Sequence, residues 1–132
     1  VMASIESAVR AMLTSQTGGD IAALPDARIT HGFRLQETAL PAITFEVERT
    51  EYITIGASPL RMANVELRVI ADTTTAALAF EDDIQTAVRV GTFDTIPFLA
   101  VDFSGRQVEP PSVADGDEAE PAQLVCYFTI YY

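Results

Sequence analysis

Two segments of alternating apolar and polar residues, joined at Gly56-Ala57-Ser58-Pro59, run through residues 41–72 and leave few folds open to this chain. In the first, Ile43, Phe45 and Val47 share one parity; in the second, Ala63, Val65, Leu67, Val69 and Ala71 do. Alternate side chains of a β-strand point to opposite faces, so each segment reads as a strand with one buried face, and the two together as a long hairpin. The other parity carries Thr44, Glu46 and Glu48, then Asn64, Glu66 and Arg68, which suits a face turned to water or to another polar surface. Thr38-Ala39-Leu40-Pro41 leads in, because proline is accepted at the first position of a strand and not in its interior.

The segments around the hairpin alternate between helical and strand patterns. Ile5, Val9, Met12 and Leu13 form one stripe of an amphipathic helix with Ser4 as N-cap, and Gly18-Gly19 is expected to end it. Residues 20–24 have room for a helical turn, and residues 28–33 for a short strand. After the hairpin, Asp72-Thr73-Thr74-Thr75 supplies capping oxygens for a second helix. There Ala76, Phe80, Ile84, Ala87 and Val88 form the inner face, Glu81, Asp82, Gln85, Thr86 and Arg89 the outer one, and Gly91 the end. Leu99, Val101 and Phe103 alternate along a further strand that Ser104-Gly105 breaks or turns. The final strand, residues 124–132, has Leu124, Cys126, Phe128 and Ile130 on one parity and Val125, Tyr127, Thr129 and Tyr131 on the other. Residues 109–121 hold three prolines with Asp115, Asp117, Glu118 and Glu120, and read as an exposed, mobile loop. The order predicts a single α+β domain over residues 1–132, with a mostly antiparallel four- to five-stranded sheet and two main helices packed on one face.

Composition excludes several functions. The 132 residues suffice for one core without a metal or disulfide. The single Cys126 forms no internal disulfide, which favours an intracellular setting. Eight basic residues, all arginine, stand against nineteen acidic ones, for a formal charge of -11. Groove binding to nucleic acid draws its affinity from cationic side chains displacing counterions, so this charge argues against it. No apolar run is long enough for a membrane span, and no basic-then-apolar leader is present.

Candidate chemistry is sparse. The carboxylates of residues 115–120 do not match the alternate-position spacing, central glycine and distal glutamate of a calcium loop. His31 is the only histidine, and nothing near it in sequence names a nucleophile. Cys126 falls on the apolar parity of a strand, where a free cysteine acts as a small hydrophobe. Gly56-Ala57-Ser58-Pro59 lacks the glycines and lysine of a phosphate loop and reads as a hairpin turn. Tyr127, Tyr131 and Tyr132 admit two readings, an interface anchor on a strand at the sheet edge or half-buried sheet packing. No catalytic residue, metal ligand or cofactor is assigned.

The segment Leu40-Pro41-Ala42-Ile43-Thr44-Phe45-Glu46-Val47, followed by Val65-Glu66-Leu67-Arg68-Val69-Ile70-Ala71-Asp72 running into Thr73-Thr74-Thr75-Ala76-Ala77-Leu78, resembles the tail terminator, or tail completion, proteins of tailed bacteriophages. The likeness spans the leading helix, the Leu-Pro entry, the strand closing on Ala-Asp and the helix with Ile84 and Val88. Ile70 stands where an aromatic is common in that family, and the acidic segment 109–121 is an addition to the pattern. The resemblance implies a non-enzymatic structural protein of the virion. It would be made in the bacterial host cytoplasm and form a hexameric ring on the last ring of the tail tube, ending tube growth and meeting a neck or connector protein. Its partners would be itself, the tail tube protein and the neck, with DNA passing through the lumen without specific binding, and no membrane. Ring interfaces are expected at the tip, Thr54, Ile55, Gly56, Ala57, Ser58, Pro59 and Leu60, on the polar faces carrying Glu46, Glu48, Glu66 and Arg68, and on the last strand with Tyr127, Tyr131 and Tyr132. Acids facing the lumen would repel DNA phosphate. The competing readings are a head-proximal stopper or head-tail connector and, from another class, a small enzyme or metal-binding module using His31.

Overall fold

The chain folds around a sheet in which three of the long strands bury one parity beneath helices. The computed structural model describes residues 4–16, 19–25, 28–32, 40–55, 58–110, 112–113 and 119–132; at residues 20, 49–55, 58, 59, 112, 113, 119 and 120 it describes the backbone. Helix α1 (Ile5–Thr14) is followed by the single turn α2 (Gly19–Ala22), strand β1 (Ile29–His31) and the long pair β2 (Ala42–Ile55) and β3 (Ser58–Ala71). Then come α3 (Thr74–Leu78), α4 (Glu81–Ala87), a small hairpin of β4 (Gly91–Phe93) and β5 (Ile96–Phe98), β6 (Ala100–Glu109), a second small hairpin of β7 (Ser112–Val113) and β8 (Ala119–Glu120), and β9 (Ala122–Tyr131). The main sheet has five strands in the order β1-β2-β3-β9-β6. The fold is α+β as the pattern predicts, but the sheet is mixed: β1 lies parallel to β2, and the other three pairings are antiparallel.

Alternation decides which face is buried. Ile43 and Phe45 on β2, Ala63, Val65, Leu67 and Val69 on β3, and Leu124, Cys126, Phe128 and Ile130 on β9 join one core with Val9, Met12 and Leu13 of α1 and Ile84 and Ala87 of α4. The register aligns them in rows across the strands, such as Phe45, Leu67 and Cys126. The opposite face is not wholly polar: Ala42, Thr44, Ile70 and Val125 lie on it and are buried too.

The N-terminal helix starts as expected, with Ser4 Oγ accepting from Ser7 N at 3.1 Å. It ends sooner, at a Ser15 C-cap whose N–H reaches Ala11 O, and Gly19 opens α2 instead of closing α1. Gly19 is needed there. Its φ is +85, and a Cβ would stand 2.5 Å from Asp83 Oδ1, the carboxylate that also accepts from Ile21 N and so ties α2 to α4.

The second helix is two helices. Thr73 Oγ1 caps α3 by accepting from Ala76 N, as expected. The chain then tightens at Ala79 and Phe80, where Phe80 N bonds to Ala77 O, and restarts as α4. The break re-phases the inner face, so Ala77 is buried with Phe80, Ile84 and Ala87 while Ala76 is exposed. Glu81, Asp82 and Asp83 fill the first turn of α4, where the positive end of the helix dipole favours them. The helix closes at Ala87, ahead of Gly91.

Three further expectations change. The β6 strand runs through Ser104-Gly105 to Glu109, with a register shift between Phe103 and Gly105 that absorbs one residue as a bulge. Leu99 and Phe103, placed on one side of that strand, are exposed. Residues 112–113 and 119–120 pair as a small hairpin inside the segment expected to be a mobile loop; Asp115, Asp117 and Glu118 lie outside the described residues. Strand β9 lies between β3 and β6, so the strand expected at the sheet edge is internal.

Leu67 is fully buried at the centre of the sheet. Leu67→Ala should lower stability by about 2–5 kcal/mol in urea unfolding, whereas Thr92→Ala, at an exposed position, should stay within about 0.5 kcal/mol.

Candidate functional site

The polar side of β2, β3 and β9 brings four predicted residues together. Glu46 lies directly across from Glu66, and Thr44 across from Arg68. Like charges opposed across a sheet are unfavourable, and Arg68 answers them. Its Nη2 donates to Glu66 Oε1 at 2.6 Å, and its Nη1 donates to Gln123 Oε1 at 2.7 Å and lies 3.9 Å from Glu109 Oε2. Gly32, Thr44, Phe45, Glu46, Glu66 and Arg68 line a cleft of about 230 Å³ at this point.

Glu48 occupies the bulge on β2, where the register shifts between Val47 and Arg49. Loss of water at the sheet surface raises its carboxyl above the ordinary glutamate value. A hydrogen bond with Glu66 and the charges of Glu66 and Glu46 act in the same direction, and Arg68 opposes them. The face therefore carries three carboxylates beside one guanidinium. It supplies charge and hydrogen bonds for a partner. His31 lies on the neighbouring edge strand with its ring 5.3 Å from that of Phe45. Among the described residues, no group of three or more His, Cys, Asp or Glu side chains is placed to hold a metal ion, and no helix is long and apolar enough to cross a membrane.

The remaining predicted residues are spread along the sheet. Tyr127 is opposite Glu66 on the polar face and half-buried. Tyr131 is opposite Met62, and Tyr132 extends the pairing through reciprocal backbone bonds with Arg61, whose guanidinium stands 6.0 Å from the Tyr132 ring. None of the three is on an edge strand. At the tip, β2–β3 pairing reaches Ile55 opposite Ser58, with Thr54 opposite Pro59 and Ile53 opposite Leu60. Gly56 and Ala57 lie outside the described residues.

Sequence reading missed a second feature, a groove of about 410 Å³ between α4 and β6, lined by Glu81, Gln85, Phe103, Ser104, Gly105, Arg106 and Cys126. Arg106 Nε lies 3.1 Å from Glu81 Oε1 across it, and the Phe103 ring packs 5.9 Å from that of Phe128. Burial pushes the Cys126 thiol up to about 11, with the charge of Glu81 adding and Arg106 opposing. The bulge hides this groove from pattern analysis: it moves Arg106 onto the parity of Phe103 and the core. Gln123 and Glu109, which complete the Arg68 network, could have been found from the polar parity of β9 and its register.

No protein-family model matches the chain, and no curated protein matches it in sequence.

Because the folded chain holds the Glu48 proton more tightly than the unfolded chain, stability falls as pH rises from the ordinary glutamate value, about 4.3, through the raised one. Glu48→Gln should raise the melting temperature at pH 7, and the advantage should vanish in acid below that range. A protonated, buried thiol is a poor nucleophile, so Cys126 should react with a thiol-specific disulfide reagent at least about tenfold more slowly in the native chain than in denaturant.

Proposed function

We propose that this chain is the ring-forming subunit of a bacteriophage tail terminator, a structural protein that caps the tail tube, stops its polymerisation and joins it to the neck. The observation that carries the reading is the reach of the hairpin. Strand β9 accompanies β3 as far as Met62, and backbone bonds between Arg61 and Tyr132 extend the contact by one residue, whereas β2 and β3 stay paired to Ile55 and Ser58. The end of the hairpin thus runs beyond the strand that flanks it and forms an arm suited to docking on a neighbour. The likeness to tail terminators in the entry to β2, the end of β3 and the capped helix that follows supports the same reading.

In this proposal six copies close into a ring, with the tail tube protein on one side and a neck or connector protein on the other. The acidic face with Glu46, Glu48 and Glu66 borders the lumen, where it repels passing DNA; the chain is not an enzyme and uses no cofactor. It works in the virion, and in the host cytoplasm while tails are assembled.

Mixing the purified chain with tail tubes should give a capped tube carrying a sixfold ring by electron microscopy and mass measurement. Binding to portal complexes and not to tubes would place the protein in the neck instead. Deleting residues 56–57 together with the Thr54–Pro59 pair should leave the melting temperature within a few degrees of the parent and reduce tube capping at least about tenfold, since loop tips tolerate change and interfaces do not.

A further inference from the structure

Apart from the three-residue outer edge of β1, two edges of the main sheet have no strand beside them among the described residues. One is the outer edge of β6 along Ala100–Glu109. The other is the outer edge of β2 beyond the His31–Phe45 pair, residues 46–55, because β1 accompanies β2 only from Ile43 to Phe45. A strand edge presents a row of backbone donors and acceptors that another strand can complete, and neither edge carries the proline or lysine that commonly blocks such pairing. We propose that these two edges pair with each other in adjacent copies of the chain, β6 of one copy against β2 of the next. The pairing stands on the sheet itself; its closure into a ring rests on the reading above.

Direction, row position and surface chemistry agree with it. The sequence of antiparallel pairings leaves β6 running opposite to β2. Rotation about an axis along the strands preserves direction, so β6 meets the next β2 antiparallel, with each copy using two different edges as a closed heterologous ring requires. The register also fixes which residues share a row. Phe103, Phe128, Val65 and Val47 form one, and Asp102, Thr129, Asn64 and Arg49 the next. With no stagger, Phe103 of one copy therefore meets Val47 of the next, and Asp102 meets Arg49. The first pair sets apolar beside apolar, and at the second the sequence supplies an acid and a base.

The apolar surface along β6 calls for such a cover. Phe103 is 41% exposed, Leu99 61% and Val90 59%. Val90 and Leu99 flank the small hairpin in sequence, just outside its Gly91–Phe98 pair. The helices bury the inner face of β3 and β9 but leave β6 largely open. A second copy continuing the sheet past β6 would cover Phe103 and extend the polar face unbroken from copy to copy.

A cysteine pair tests the contact. Within one chain, positions 49 and 102 are three strand spacings apart, about 14 Å, beyond the roughly 7 Å that a disulfide spans between Cα atoms. A bond between Arg49→Cys and Asp102→Cys must therefore join two copies, and Cys126 is buried beneath the helices. Mild oxidation of the concentrated double variant should give a ladder of covalent multimers ending in one closed species, while each single variant stops at dimers. Rings by solution mass without the ladder would overturn the edge pairing and leave the ring reading standing. A ladder running on into open filaments would support the pairing and overturn the closed ring. A monomer without cross-links, both alone and mixed with tail tubes, would overturn both. As a second measurement, Arg49→Asp and Asp102→Arg should each weaken self-association several-fold by light scattering, and together restore it; failure of the pair to restore it would also overturn the contact.

Discussion

Burial of one parity of β2, β3 and β9 under the helices is the constraint on which the rest of this structure depends. It removes from water Phe45, Leu67, Phe128 and their neighbours, each worth roughly 1.5–3 kcal/mol when fully buried. It also fixes register, because a slip of one residue would bring Glu46, Glu66 and Tyr127 inside and turn Phe45, Leu67 and Cys126 out. The position of the acidic face thus follows from the packing of the apolar one. Glu46 and Glu66 oppose each other because Phe45, Leu67 and Val65 must point the other way, and the Arg68 network answers a charge conflict that the core creates.

That dependence explains what could be read in the sequence. Alternation and capping are local signals, and they located β2, β3, β9, the Ser4 and Thr73 caps and the α+β class. Features set by long-range placement were not legible. Strand β9 reads as an edge because it comes last in the sequence, yet it lies between β3 and β6, where both parities are partly covered; Val125, on its outer parity, is fully buried. The parallel partnership of β1 with β2 spans too few residues to leave a pattern. Val101 and Phe103 keep the inner parity, but the helices do not reach that end of β6, and beyond it the bulge at Ser104 exchanges the parity. The break at Phe80 is similar: one helical stripe through Ala76 is consistent with the sequence, but burying Ala77 with Phe80 and Ile84 fits the sheet beneath.

The two faces of the sheet serve different ends. The covered face holds the chain together and contains the thiol whose pKa burial pushes up. The open face, with its acids, its arginine network and the long arm beyond it, offers charge and hydrogen bonds to another surface. In the proposed terminator, binding is distributed along strand edges and charge is spread over a face, so function is a property of the sheet as a whole and not of a few converging side chains.

The interior position of β9 also bears on how the molecule is made. Strands β3 and β6 both find a sheet partner in it, and β6 joins the sheet through it alone among the described strands. During synthesis the helices and the β2–β3 hairpin can form as they emerge, whereas β6 must wait until β9 has left the ribosome. Until then β3 shows a bare strand edge. Completing the sheet is thus a late, long-range event, a kind of closure that slows folding and leaves edges open to wrong partners in the meantime. The last strand acts as a latch, and a nascent chain without it has no finished edge to offer a neighbour.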